Sequence, residues 1–454
     1  MTDYLTALVQ IIASNVKTLQ SAYAKNGSIY PSLDEPLDQT QAAEIAANKD
    51  VQENIRLIVA AATQLVASVR SPFDVLGEQA TGMYNTVTLS FVNDHNVADL
   101  LKEAGPQGLD AKEIGRKIGV DGVYVAQCLR YLATRHIFRE VKPNVFANNR
   151  LSFALVKSKP FKEIESDIIT KYDDAPISAF VGHVTDEGLI GSQSFIEFMR
   201  HPGGYSSPLS MALQEHTSMF EWYAQPAQTW RARRFATAMK APAKLRGHGA
   251  YASALDWNAL PSGSTIVDVG ASTGVVTMEI ARSAPQHKYV LHDLEGGIAA
   301  AQRHWAKEWP EAIDNGIVAL EVHSFFDPMP VQADVYFMRA IIHDWPEAEC
   351  RKILGHLNAA AKSTSKLVLF EMMALHACAD DLVGSNNAPY PLLANLGIAG
   401  AGFVTMIDMH MISLLNGRER TAREYEELGR QTGWKLETVK PGLVPAFIFS
   451  KAVE

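Results

Sequence analysis

Cysteine is scarce in this chain: Cys128, Cys350 and Cys378 are the only three, far apart and in no C-x-x-C or zinc-ligand spacing. Such a set cannot staple a secreted scaffold, so free thiols in a reducing, cytoplasmic compartment are expected. Apolar runs are short too, and none approaches the roughly eighteen residues that a membrane-spanning helix needs. The N-terminal stretch MTDYLTALVQIIASNVKTLQ has no basic region and no small-residue cleavage site, so no secretory leader is expected. Positive charge is in deficit. With 41 Lys and Arg against 50 Asp and Glu, the net charge of −9 has the wrong sign for a phosphate backbone, which argues against a nucleic-acid partner. The dinucleotide fingerprint G-x-G-x-x-G is missing, and no cluster of metal ligands is evident.

What is present is an ordinary globular composition, 47% hydrophobic and 20% charged, over 454 residues. That length exceeds one ordinary core, so two or three domains are expected. Residues 1–150 read as a helical and winged-helix domain. Helical periodicity runs over Tyr4–Tyr23 and again over Gln39–Ser68, where Ile55, Ile58, Val59, Ala62, Leu65 and Val66 form an apolar stripe. The polar stretch Asn26–Asp38 separates the two. A helix around Thr86–Glu103, a second over Leu109–Gly119 with Asp110 as its N-cap, a third over Asp121–Thr134 and the wing REVKPNVFANN complete the pattern. The third helix, DGVYVAQCLRYLAT, has one Arg among large apolar residues, which suits packing or dimerisation and not DNA. The apolar stripes lack a core of their own and imply a homodimer through this half. Residues 151–250 read as a helical, aromatic-rich connector.

From about 251 to 454 the pattern turns to alternating strands and helices, the mark of a doubly wound, mostly parallel sheet. Strands are expected at TIVDVG, KYVLHDL, Ile317–Val322, Asp334–Met338 and Lys366–Glu371, and an antiparallel hairpin at Lys435–Val439 and Val444–Ser450. After the first strand, Asp268-Val-Gly-Ala-Ser-Thr-Gly274 is a turn of small residues that lets a ligand approach the backbone; Asp268, Gly270, Ser272 and Gly274 are its candidate binding positions. Asp293 ends the second strand, where a carboxylate can accept both hydroxyls of a ribose. Turn plus acid point to a nucleoside.

A more specific stretch is DVYFMRAIIHDWPEAECRKIL, residues 334–354. It resembles the D-x-x-x-x-[KR]-x-x-x-H-D-W-x-(D/E) signature of the plant-type O-methyltransferases and their fungal relatives. RYLATRHIFREVKPNVFANNRLS, SMFEWYAQPAQTWRARRFATAMK and MISLLNGRERTAREYEELGRQTGWKLETV extend the likeness over nearly the whole chain. The resemblance implies a class I methyltransferase sheet with an antiparallel edge strand, a winged-helix dimerisation domain and S-adenosylmethionine (SAM) or S-adenosylhomocysteine as cofactor. It also implies His343 as general base, with Glu371 and Glu419 orienting it. The chemistry fits: a phenol or enol must lose its proton as the methyl group arrives, and histidine does this without a metal.

Cofactor contacts are further expected from Ser324, Phe325 and Arg339, and a substrate pocket from His136, Trp222, His292, Met338, Met406 and Met409. This wall suggests a flat aromatic or polyketide-like acceptor. The family's glycine-rich turn is departed from at Ala271 and Ser272, and Ser324 stands where relatives often have Asp. These departures bear on an alternative. The family also includes SAM-binding pericyclases such as the leporin-forming enzyme, in which the sulfonium is a fixed positive charge and His and Arg donors polarise a carbonyl. Here His136, His292 and Arg339 are the candidate donors for such pericyclic or dehydration chemistry. A non-catalytic SAM-binding regulator is a third reading, opposed by the retained base and the acidic charge.

Overall fold

The computed structural model describes residues 3–25, 27–35, 48–241, 251–380, 388–442 and 444–452. The chain divides into two compact units, one comprising Met1–Leu245 with Pro389–Leu392 and Ile398–Gly400, the other the remainder. Of the expected connector, residues 151–245 fall in the first unit. Its expected end at 250, the start of the second apolar stripe at Gln39 and part of Asn26–Asp38 lie outside the described residues.

In the first unit, helices Tyr4–Lys25 and Lys49–Val69 pack together. The helix expected over Thr86–Glu103 is two, Met83–Asp94 and Val97–Ala104. Asn96 breaks it by taking φ of 55°, a left-handed conformation that Asn tolerates better than most residues. Asp110 caps Ala111–Ile118 by accepting from Lys112 N at 2.9 Å, and Gly119 ends that helix with φ of 73°. Helix Gly122–Ala133 follows, and β1 (Leu109–Asp110), β2 (Arg139–Lys142) and β3 (Val145–Ala147) form the wing in the order β1-β3-β2.

The second unit is built on a sheet of seven strands among the described residues: β4 (Thr265–Val269), β5 (Lys288–Asp293), β6 (Val318–Val322), β7 (Val335–Arg339), β8 (Lys366–Phe370), β9 (Trp434–Lys440) and β10 (Ala446–Lys451). Their order is β6-β5-β4-β7-β8-β10-β9. Strands β4 to β8 run parallel, and β10 lies antiparallel between β8 and the edge strand β9. Alternation along the strands separates two cores. Val267, Val269, Tyr336, Met338, Leu367 and Leu369 pack on one face with helices Glu347–Ala360 and Ala422–Gln431. Ile266, Val335, Phe337, Val368 and Phe370 pack on the other with helices Val275–Ser283 and Glu295–Glu308. The order reverses at β4, so the carboxyl ends of β4, β5 and β7 adjoin where a doubly wound sheet binds its ligand.

Candidate active site

At the end of β4 the backbone turns sharply. Gly270 and Gly274 have φ of 78° and 72°, and the N–H groups of Gly270 and Ala271 both donate to His292 O, at 2.9 and 3.0 Å. There is no room for side chains here. A Cβ on Gly274 would lie 2.3 Å from Leu291 Cδ2, and one on Gly270 2.6 Å from Ile341 Cδ1. Ser272 is also left-handed, φ 51°, with an exposed side chain; its N–H donates to Asp293 Oδ2 at 2.7 Å. Asp293 Oδ1 accepts from Leu294 N at 2.7 Å, so each oxygen retains acceptor capacity. Burial raises the Asp293 pKa against these two donors. Asp268 is buried, accepts from Thr277 Oγ1 at 2.5 Å, and is pushed up to about 7, chiefly by burial. Arg339, on the same sheet face, opposes that shift, and its Nε is buried without a partner among the described residues. Asp293 with spare acceptor capacity, an unanswered guanidinium N–H and a turn with little side-chain bulk suit a nucleoside that brings hydroxyl donors and an acceptor group.

The catalytic candidates meet beside this turn. The chain leaves β7 through Ala340, left-handed at φ 53°, whose N–H donates to Phe370 O at 3.0 Å. Glu371 directly follows β8, next to the end of β7, and its Oε1 accepts from Ile341 N at 2.9 Å and Ile342 N at 2.7 Å. His343 sits in the short turn Ile342–Asp344. Its Nδ1 donates to Glu419 Oε1 at 2.7 Å, and Nε2 lies 3.4 Å from Asp344 Oδ1. Glu419 arrives from a strap that begins where Asn416, φ 56°, ends helix Gly402–Leu415. Gly417 presses on the turn: a Cβ there would lie 2.0 Å from His343 O. Arg418 N donates to that same oxygen at 2.9 Å, and Glu419 N donates to Asp408 Oδ1 at 2.8 Å.

Burial alone would push the His343 pKa down, but Asp344, Glu371 and Glu419 outweigh it and raise it to about 10. Burial in turn pushes Glu371 up to about 7 and Asp344 up to about 6, with His343 opposing both. One imidazole among three carboxylates is thus a strong acceptor for a proton. Ile341 joins the two clusters, since its side chain packs at Gly270 while its N–H is held by Glu371. Phe325 also reaches Gly270 and stacks edge-on to Trp345 at 5.8 Å.

The structure thus groups His343, Glu371 and Glu419, and separately Asp268, Gly270, Ser272, Gly274, Asp293 and Arg339 with Phe325. Ser324 turns inward on its own loop, its Oγ accepting from Phe326 N at 3.3 Å. His292 and Asp293, as neighbours on β5, point to opposite sheet faces. The His292 ring contacts Glu321 Oε2 at 3.1 Å and the His323 ring, so its backbone carbonyl and not its imidazole serves the turn. Met338 is fully buried in the core, because its place on β7 faces the packed helices and not the strand ends. Met406 and Met409 are exposed on the helix that carries Asp408. His136 and Trp222 belong to the first unit: His136 is exposed at φ 64°, and Trp222 is buried against Tyr223. Sequence reasoning passed over Asp344, Asp408, Gly417 and Arg420. Of these, Asp344 was visible inside H-D-W itself.

An O-methyltransferase of Armillaria gallica is 34% identical over 455 residues, covering 97% of this chain and 96% of that protein. The chain belongs to the O-methyltransferase family. The family's domain model matches residues 217–435 of the enzyme. A 4-O-methyltransferase of Phanerochaete chrysosporium is 31% identical to this methyltransferase, covering all of this chain and 99% of the other. Two solved structures share the fold. A pericyclic reaction enzyme matches with a TM-score of 0.65 at 19% identity, covering 97% of this chain and 99% of its own. An O-methyltransferase of neocarzinostatin biosynthesis, in complex with SAM and 2-hydroxy-5-methyl naphthoic acid, matches with a TM-score of 0.60 at 21% identity, covering 81% and 96%. The methyltransferase is SAM-dependent, as its family is. Among the described residues, no helix is long and apolar enough to cross a membrane.

Proposed function

We propose that this enzyme methylates an acidic hydroxyl of a flat aromatic or polyketide-like secondary metabolite, with His343 as the general base. The observation that carries this reading is the buried His343–Glu419 contact of 2.7 Å, with Asp344 and Glu371 adding to the pull on the proton. Asp293, Asp268, Arg339 and the Gly270–Gly274 turn would hold the cofactor. When bound, SAM supplies a methyl group on a positively charged sulfur. Glu419 fixes the ring with Nδ1–H donated to the carboxylate, which leaves Nε2 to take the acceptor's proton. A phenol has a pKa near 10, so its proton passes to an imidazole of similar basicity with little energetic penalty. Exposed Met406 and Met409 on the helix behind Glu419 support an apolar acceptor, as does the naphthoic acid bound by the neocarzinostatin enzyme.

A homodimer through residues 1–150 is part of the proposal. Phe73 is 85% exposed and Leu76 68%, beside Val69, Met83 and Tyr84, an apolar surface that a second copy would cover. The three unpaired cysteines support a cytoplasmic location. A second reading is favoured by one feature: the carboxylates around His343 raise its pKa and favour the protonated ring, which would polarise a carbonyl as a pericyclase donor does. Methyl-labelled SAM decides between them. Label recovered in the product supports methyl transfer, whereas label left on SAM after complete conversion of the acceptor overturns it.

A further inference from the structure

Arg420 is fully buried one residue beyond Glu419, and a guanidinium is buried only where its donors are answered. Among the described residues, its side chain hydrogen-bonds to the segment that carries His343. Nη1 donates to Ile342 O at 3.0 Å, and Nη2 to Trp345 O at 3.3 Å and Glu347 Oε2 at 2.9 Å. Nη2 also reaches Cys350 Sγ at 3.3 Å, and Nε donates to Glu347 at 3.3 Å. Burial pushes the Cys350 thiol up to about 12, so it stays protonated and donates to the same two carbonyls, at 3.3 and 3.2 Å.

The Ile342–Asp344 turn is short: within it Asp344 N donates to Ile341 O at 3.1 Å and Trp345 N to Ile342 O at 3.4 Å, and the strap supplies further contacts. The strap adds its contacts in order. Arg418 N takes the carbonyl of His343, Glu419 takes its ring, and Arg420 takes the carbonyls on either side. Arg420 O in turn accepts from Ala374 N at 2.9 Å, just past Glu371. One residue therefore ties together the segments bearing all three of His343, Glu371 and Glu419.

We infer that Arg420 is a positioning residue for methyl transfer, whose guanidinium holds the His343 turn in register with Glu419. This rests on His343 being the general base. Placement errors on the order of 1 Å cost about a hundredfold in rate, so the fork geometry should matter more than the charge. Arg420→Lys keeps the charge but cannot span both carbonyls. The expected result is a kcat lower by about ten- to a hundredfold, with SAM affinity by calorimetry within about twofold and a shifted pH profile. In a Glu419→Gln background, where His343 has already lost the carboxylate it is held in register with, the same substitution should cost little more.

A purely structural staple would give the same fold-loss in both backgrounds, and that outcome overturns the inference, as does an unchanged kcat. Should Arg420→Lys not fold, Glu347→Gln loosens the guanidinium from the half-exposed side, and a smaller loss with the same non-additivity is expected. Equal losses in both backgrounds, or none, again overturn it. His343→Ala keeps the two claims apart. If it still methylates, the general-base reading fails; if it is dead while Arg420→Lys and Glu347→Gln are unaffected, only the positioning role fails.

Discussion

Replacing Glu419 with Gln keeps the shape of the side chain and removes only its charge. The contact it alters, 2.7 Å between buried groups, is a charge-assisted hydrogen bond. Such bonds contribute about 1.5–3 kcal/mol, and each pKa unit corresponds to ~1.36 kcal/mol. Glu419→Gln should therefore lower the His343 pKa by about one to two units from its raised value of about 10. Because the base works only when neutral, the acid limb of the kcat/KM profile should move to lower pH by that amount. The plateau should nonetheless fall by about a hundred- to ten-thousandfold, since the tautomer and the forming imidazolium lose their partner. Stability follows with a definite sign. A histidine raised by folding stabilises the protein fully below the ordinary histidine range, and this contribution fades as pH climbs through the raised value. The variant should hence melt lower at pH 7, with the gap narrowing toward pH 10. Steady-state rates and melting curves across pH 6–10 test all three consequences. An acid limb that does not move, with the plateau intact, would refute the role assigned to this contact.

Other substitutions probe the remaining parts. Asp293→Ala should weaken SAM binding by about ten- to a hundredfold in calorimetry, and unchanged affinity would remove Asp293 from the ribose. Gly417→Ala places a Cβ against His343 O, so a loss of about 1–3 kcal/mol in denaturant midpoint and a reduced kcat are expected. A variant indistinguishable from the parent would show that the turn yields freely. Light scattering at micromolar concentration should report a dimer that Phe73→Glu with Leu76→Glu dissociates, and a monomeric parent protein would refute the interface.

The alternating strands and helices made the sheet and the strand-end place of Asp293 legible from sequence, and the resemblance around H-D-W picked out His343, Glu371 and Glu419, whose side chains the structure brings together. Arg420 and Gly417 were not legible, because their roles arise from contacts with the distant His343 segment, and Asp408 was not because it meets Glu419 only through the turn that ends its helix. His292 and Met338 are a different case. Their burial followed from strand alternation, since neighbours such as His292 and Asp293 must face opposite ways. Side-chain type had drawn them into the pocket when strand position placed them outside it. The break at Asn96 shows the same limit for helices: the apolar pattern continues through a residue whose backbone reverses hand.

The short contact of Ala374 N with Arg420 O pinches the chain at the two ends of a long excursion. What lies between, including the helix with Met406 and Met409, is closed off at its neck like a handle riveted at both ends. Exchanges on the exposed side of that helix, away from Asp408, Gly417 and Arg418, are expected to leave Glu371 and Glu419 where His343 needs them. On the proposed reading, changes at Met406 and Met409 would alter which acceptor this enzyme takes and leave its proton chemistry alone.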